Sequence, residues 1–135
     1  MDGTICDLDL GLFTIIHNTK DEKAERGYYL EREIKLNPYL LLHKDDEAVI
    51  ITSRRFGYKG LTEEWLKYHG IKFPIIHEVC EIEPDKFDEI AEWKSKIINR
   101  EKLDVYIDDN PIIVSSLRKL CTKTTILQYG ARHEN

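Results

Sequence analysis

The sequence predicts an α/β protein with a Rossmann-like, doubly wound parallel sheet of about five strands and helices on both faces. Short apolar segments rich in β-branched residues alternate with longer amphipathic segments, which is typical of parallel strands joined by helices. Two of the apolar segments, AVIIT at 48–52 and LDVYI at 103–107, are continuous enough to be buried strands. Each is followed at once by polar residues, so we expect both to end at an edge of the sheet.

The other elements follow from the same alternation. Three further strands are predicted at 4–6 (TIC), 73–76 (FPII) and 124–129 (TTILQY), and helical spacing of apolar residues marks 37–47, 61–70, 86–102 and 111–120. Thr62 is a plausible N-cap for the second of these helices, and Gly70 is a typical left-handed residue at its end. Pro111 suits the first turn of the last helix, where its missing N–H group costs nothing.

The segment 14–32 is the exception, because it is polar and has no clear helical period. We interpret it as a β-hairpin, flap or minimal cap after the first strand. The whole stretch from residue 14 to the AVIIT segment is too short for a large helical cap, and the chain contains no repeat, linker or low-complexity stretch. The prediction is therefore a single domain over residues 1–135.

Composition narrows the class of protein. The net charge is −5, with 41% hydrophobic and 33% charged residues, which is typical of a globular protein and argues against a broad basic face for nucleic acid. Three widely spaced cysteines do not form a disulfide framework, so a reducing, cytoplasmic setting is expected. We find neither a signal peptide nor an apolar run long enough for a membrane helix, and the oligomeric state stays open.

Acidic and hydroxyl side chains follow three of the predicted strands. Ligands of open parallel sheets bind beyond the carboxyl ends of the strands, so these residues are the ones to inspect. Four carboxylates at one sheet edge would repel one another unless a cation neutralised them, and Mg²⁺ prefers such hard oxygen ligands. Taken singly, each motif is more often a turn or a helix cap, and only their order and placement indicate a site. The residues are Asp7, Asp9, Thr52, Ser53, Asp108 and Asp109.

In that order and placement the chain resembles a haloacid dehalogenase (HAD) superfamily phosphatase. DLDLGLF, which begins at Asp7, aligns with the family pattern DLDxTLF, and IITSR supplies the second motif at Thr52. YIDDNP supplies the acidic fourth motif. The third motif is a lysine in the helix before that strand, for which Lys94 is preferred, with Lys96 and then Lys86 as alternatives. The resemblance covers nearly the whole chain.

The resemblance implies a mechanism. Asp7 would attack phosphorus to form an aspartyl-phosphate, and Asp9 would protonate the leaving group and then activate water. Thr52 and Lys94 would bind the transferring phosphoryl oxygens. Mg²⁺ would be held by the Asp7 carboxylate, the Asp9 backbone carbonyl, and Asp108 or Asp109.

Two features of the first motif leave alternatives open. Gly11 stands where the family has threonine, which indicates either lower activity or a binding-only relative. MDGTICD also resembles the end of a DxDGT motif, in which Asp2 would be the acid–base and the nucleophile would precede Met1. That register leaves no residues for the first strand, so Asp7 and Asp9 are preferred.

Substrate class follows from the small cap and from the basic loop after Thr52. Ser53, Arg54 and Arg55 are expected to contact an anionic substrate. An open site suits a nucleotide or a phosphorylated nucleic-acid end, and the motifs are most similar to nucleotidase-type members of the superfamily. The rivals are a catalytically weak HAD-like binding module and a phosphorylation receiver domain. The receiver fits less well, because its acidic pair comes early in the chain and its lysine last.

Overall fold

A computed structural model describes residues 46–54 and 56–129, together with Lys23, Gly27, Tyr28 and Glu33. Within these residues the chain is a mixed α/β protein with three α-helices and short parallel strands, which confirms the predicted class. The described chain falls into two compact units, divided after Glu81. The single domain over 1–135 stays a prediction.

The first unit is built around two short parallel strands and one helix. Strand β1 is Ile50–Ile51, a 3₁₀ turn at Phe56–Tyr58 leads into helix α1 at Lys59–Tyr68, and β2 is Ile75–Ile76. Ile50 pairs with Ile75 and Ile51 with Ile76. Trp65 and Leu66 of α1 pack with Ile50 and Ile71 in a buried cluster, against which Phe73 and Ile75 also lie.

Helix α1 begins three residues earlier than Thr62, the predicted N-cap. Thr62 is fully buried inside the helix, since the 3₁₀ turn starts the helical path before it. The predicted end is confirmed: Gly70 has φ of 69°, and the next backbone N–H, that of Ile71, donates to the Leu66 carbonyl at 2.8 Å. Glycine adopts this left-handed conformation without the strain that a Cβ atom would add.

The second unit is two helices on one pair of parallel strands. Helix α2 is Phe87–Glu101, β3 is Val105–Asp108, α3 is Pro111–Leu120 and β4 is Thr125–Gln128. The β3–β4 register runs from Val105 opposite Thr125 to Asp108 opposite Gln128. The core of this unit consists of apolar side chains from both helices and both strands, among them Ile97, Ile98, Val114, Leu117 and Ile126.

Helix α3 has the start that its sequence predicts. Pro111 occupies the first helical turn, and the Asn110 side-chain oxygen accepts hydrogen bonds from the backbone N–H groups of Ile112 and Ile113, at 2.9 and 3.1 Å. These bonds satisfy two donors that a helix start otherwise leaves to solvent. Because Asn110 lies two residues after Asp108, the cap also fixes the chain direction where β3 ends.

Replacing Asn110 with alanine should lower the free energy of unfolding by about 1 kcal/mol, since both cap bonds are lost. Chemical denaturation measures this difference. The control is Ser115→Ala, which removes an exposed hydroxyl from the middle of the same helix and should stay within about 0.5 kcal/mol of the wild type. Equal losses in the two variants would contradict a capping role for Asn110.

Several predicted elements differ from the structure. The described strands form two separate two-stranded sheets, β1–β2 and β3–β4, and these residues do not show one sheet of about five strands. The predicted strand at 4–6 and most of the predicted helix at 37–47 lie outside the described residues. Lys23, Gly27 and Tyr28 are helical, so the β-hairpin predicted over 14–32 is wrong at these positions. Glutamate, lysine, alanine and arginine in the surrounding DEKAER favour helix over strand.

Across the ranges that the structure describes, we find no helix with both the length and the apolar character needed to span a membrane.

Candidate functional site

Lys94 and Asp108 meet in a buried ion pair where β3 ends. The Lys94 Nζ donates to Asp108 Oδ2 at 2.8 Å, and the two residues are 6% and 4% exposed. The period of α2 explains the position of the lysine: Lys94 shares the buried face of α2 with Ala91 and Ile98, whereas Lys96 is exposed. Of the candidate third-motif lysines, the structure therefore brings Lys94 to the acidic motif, while Lys86 is also exposed, just before α2.

Tyr106 completes the contacts of the Asp108 carboxylate. Its hydroxyl donates to the same Oδ2 at 2.6 Å, and the Lys94 Nζ lies 5.8 Å from the centre of the Tyr106 ring. The other oxygen, Oδ1, accepts the backbone N–H of Asn110 at 3.1 Å. Tyr106 and Asp108 are two residues apart on β3, so their side chains lie on the same face of the strand, and both are buried. Val105, the residue before Tyr106, is exposed.

The charges of this group reinforce one another. Burial alone would lower the pKa of Lys94, but electrostatic interaction with Tyr106 and Asp108 and the hydrogen bonds to them raise it above its ordinary value. Burial alone would raise the pKa of Asp108, but the Lys94 charge and the hydrogen bonds from Lys94 and Tyr106 hold it well below its usual range. At neutral pH the pair is therefore an ammonium and a carboxylate.

Tyr106 keeps its proton in this surrounding. Burial raises the pKa of its phenol, the Lys94 charge acts in the opposite direction, and the nearby Asp108 charge raises it further, so the net shift is upward. A protonated phenol donates, and the carboxylate accepts. Asp108 thus receives one hydrogen bond from a cation and one from a neutral hydroxyl on a single oxygen.

The loop after β1 holds the second-motif residues in the first unit. Thr52 is 2% exposed, and its Oγ1 accepts the backbone N–H of Arg54 at 3.2 Å. Ser53 between them is half-buried. Arg54 is itself buried, and its Nη1 donates to Thr62 Oγ1 at 3.2 Å, which ties the loop to α1.

His77 fixes the same loop from the end of β2. It is buried, and its Nε2 lies 3.0 Å from the backbone carbonyl oxygen of Arg54. A carbonyl can only accept, so Nε2 carries the proton and donates. The loop that carries Thr52 is therefore attached to both α1 and the segment after β2.

The predicted metal ligands are described in part. Asp108 is buried and Asp109 half-buried at the end of β3. Asp7 and Asp9 lie outside the described residues, as do Asp2, Gly11 and Arg55. Within the described ranges, His, Cys, Asp and Glu side chains form no group of three that could hold a metal ion.

Sequence reasoning missed three residues of these networks. Tyr106 has a signal in strand periodicity, because a residue two positions before a buried strand-end aspartate lies on the same face. His77 directly follows the short strand β2, so it also lies at the end of a parallel strand, where ligand-binding residues are expected. Thr62 has no such signal, since its role depends on where the buried Arg54 side chain runs.

No protein-family model matches this chain, and comparison with curated proteins and with solved structures gave no match either.

Proposed function

We propose that the chain is a Mg²⁺-dependent phosphohydrolase of the HAD type, which cleaves a phosphomonoester through an aspartyl-phosphate. The proposal includes a Rossmann-like sheet of about five strands, to which the two described strand pairs would belong. The observation that carries it is the buried contact between Lys94 and Asp108, 14 positions apart in sequence and 2.8 Å apart in space. These are the residues that the resemblance assigns to the third and fourth motifs.

The position and the energetics of the pair support a functional role over a purely structural one. Ligands of parallel α/β sheets bind beyond the carboxyl ends of strands, and Asp108 is the last residue of β3. Burying two charges costs free energy that their mutual attraction often only balances, so apolar residues would stabilise this position at least as well. Clusters of buried ionisable groups with shifted pKa values are typical of functional sites.

In the proposed mechanism Asp7 is the nucleophile and Asp9 is the acid and then the base. Asp7 forms a bond to phosphorus as the alcohol leaves, and Asp9 gives that alcohol a proton. Asp9 then takes a proton from a water molecule, and this water attacks phosphorus. Its attack breaks the bond to Asp7, which releases the Asp7 carboxylate and inorganic phosphate. Lys94, kept as an ammonium by Asp108, and the Thr52 hydroxyl provide charge and hydrogen bonds for the phosphoryl oxygens.

Two carboxylates at the end of β3 support the choice of Mg²⁺. Asp108 and Asp109 offer carboxylate oxygens, the ligand type that this ion prefers, and Asp108 Oδ1 accepts one backbone N–H, which leaves it a further lone pair. Asp7, the Asp9 carbonyl, and Asp108 or Asp109 would hold the ion. When bound, it would neutralise the charge between a carboxylate nucleophile and an anionic phosphate.

A nucleotide or a phosphorylated nucleic-acid end is the favoured substrate class. The basic loop after Thr52 supports this choice, with one refinement. Because the Arg54 guanidinium donates to Thr62 and ties the loop to α1, we assign Arg54 to shaping the loop, and Ser53 and Arg55 to contacting the substrate.

A catalytically weak HAD-like binding module is the second candidate. It is favoured by Gly11, which lacks the hydroxyl expected in the first motif. A phosphorylation receiver domain is the third candidate. A receiver has its acidic pair early in the chain and its lysine last, whereas here the acidic pair follows the lysine.

The protein should release inorganic phosphate in the presence of Mg²⁺ from at least one member of a panel of nucleotides, sugar phosphates and 3′- or 5′-phosphorylated oligonucleotides. Chelation with EDTA should abolish the release, and added Mg²⁺ should restore it. Asp108→Asn should lower the rate by about 100-fold, since a carboxylate that positions both Lys94 and the ion is lost. A colorimetric phosphate assay measures all three effects.

The matched control is Asp104→Asn, which alters an exposed aspartate just before β3. This variant should retain the wild-type rate. Rates are compared at a temperature where circular dichroism shows each variant folded. Mg²⁺-dependent ligand binding without phosphate release from any panel member would favour the binding module instead.

A further inference from the structure

We propose that Tyr106 is a positioning residue for the cation: its phenol and the Lys94 ammonium together engage Oδ2 of Asp108, so that Oδ1 is the oxygen that binds Mg²⁺. The inference rests on the proposed function in one respect, the assignment of Asp108 as a cation ligand. It adds a residue that the motifs do not contain and a choice between the two oxygens of one carboxylate.

The hydrogen bonds divide the carboxylate into two unlike oxygens. Oδ2 accepts from Tyr106 at 2.6 Å and from Lys94 at 2.8 Å, and both donors are buried. A cation approaching Oδ2 would meet the Lys94 ammonium at close range and be repelled by it. Oδ1 accepts a neutral backbone N–H at 3.1 Å, which leaves its second lone pair for a hard cation.

The phenol has a task that the ammonium alone does not perform. Lysine donors sit on a flexible four-carbon stem, so one Lys94 contact leaves the carboxylate able to rotate about its Cβ–Cγ bond. Tyr106 is fixed by the strand backbone two residues before Asp108 and donates from a rigid ring on the same face. Two donors from different elements, with the Asn110 N–H on the other oxygen, fix the plane of the carboxylate.

Hydrogen-bond donors to a metal-binding carboxylate generally affect how tightly the metal binds. Hydrogen bonds that orient a ligating carboxylate typically change metal affinity by about 10- to 100-fold when they are removed. A role in packing alone would leave the affinity unchanged, because phenylalanine fills nearly the same volume. Tyr106→Phe therefore separates the two roles.

The experiment is isothermal titration of Mg²⁺ into the metal-free full-length protein, into Tyr106→Phe and into Asp108→Asn. We expect Tyr106→Phe to weaken Mg²⁺ binding by about 10-fold and Asp108→Asn to weaken it at least as much. Tyr58→Phe is the matched control, because Tyr58 is also a buried tyrosine, 5% exposed, in the turn before α1. It should bind Mg²⁺ as the wild type does. Thermal melts of every variant show that titrations are made on folded protein.

The outcomes separate this inference from the proposed function. Unchanged Mg²⁺ affinity in Tyr106→Phe overturns the inference, whether or not the melting temperature falls, and so does a wild type that binds no Mg²⁺. Equal weakening in Tyr58→Phe also overturns it, since the effect would then be general to buried phenols. Phosphate release is measured on the same samples: a wild type that binds Mg²⁺ through Asp108 and Tyr106 but releases no phosphate retains the inference and rejects the phosphohydrolase.

Discussion

Lys94→Ala should lower the free energy of unfolding by about 3–5 kcal/mol, because it leaves the Asp108 carboxylate charged and buried without its cation. Asp108 is 4% exposed, and its pKa lies well below the usual range while Lys94 is present. Without the ammonium, the carboxylate either keeps its charge in a poorly solvated place or takes up a proton. Both routes destabilise the folded state relative to the unfolded chain, in which the carboxyl group is hydrated.

Chemical denaturation at neutral pH measures this change, and Lys96→Ala is its control. The two lysines are on the same helix and have the same intrinsic helix propensity, but Lys96 is exposed. Its replacement should change the unfolding free energy by no more than about 0.5 kcal/mol. If the two variants were equally stable, the buried pair would not be a feature of the folded protein in solution. Lys94 would then no longer be preferred over Lys96 as the third-motif lysine.

Asp7→Asn should abolish phosphate release, with a loss on the order of 1,000-fold or more, whereas Asp2→Asn should leave most of it. The asparagine amide is not a nucleophile that can form an acyl-phosphate under these conditions, so the covalent route is closed. Asp2 lies in the segment MDGTIC. If Asp7 and Asp9 form the first motif, this segment is the predicted first strand that leads to them.

The assay is single-turnover and steady-state phosphate release with the best substrate of the panel, on both variants side by side. Each aspartate changes only to its amide, so the pair is matched in size and in loss of charge. Release lost in Asp2→Asn but retained in Asp7→Asn would reject the register and move the first motif upstream. Trapping of an acid-stable, base-labile phosphate on the wild type but not on Asp7→Asn would support the covalent step directly.

The second unit could be predicted closely from sequence. The segments 86–102, 103–107, 111–120 and 124–129 correspond to α2, β3, α3 and β4 within a few residues. Their signals are local: a strong helical period, a proline in the first turn of a helix, and runs of apolar and β-branched residues. Lys94 was preferred from motif order, and the helical period of α2 is what places it on the buried face.

The rest depends on contacts that local patterns do not encode. The strands of the first unit are only two residues long, because pairing with a neighbour and not apolar content decides where a ladder stops. Arg54 is predicted to contact an anionic substrate because it lies in the basic loop directly after Thr52. Its burial requires an acceptor eight residues away inside a helix, which no pattern in the loop indicates.

The burial of the Lys94 ammonium has a consequence for the chemistry of the protein surface. Acylation of a lysine requires the neutral amine, because the amine is the nucleophile. The pKa of Lys94 is raised above that of a free lysine, and its Nζ donates to Asp108, so the neutral amine is scarce in the folded protein. Lysines such as Lys96, on the outer face of the same helix, are open to acetylation or methylation. The positive charge beside Asp108 is therefore less open to acylation than the charges of exposed lysines.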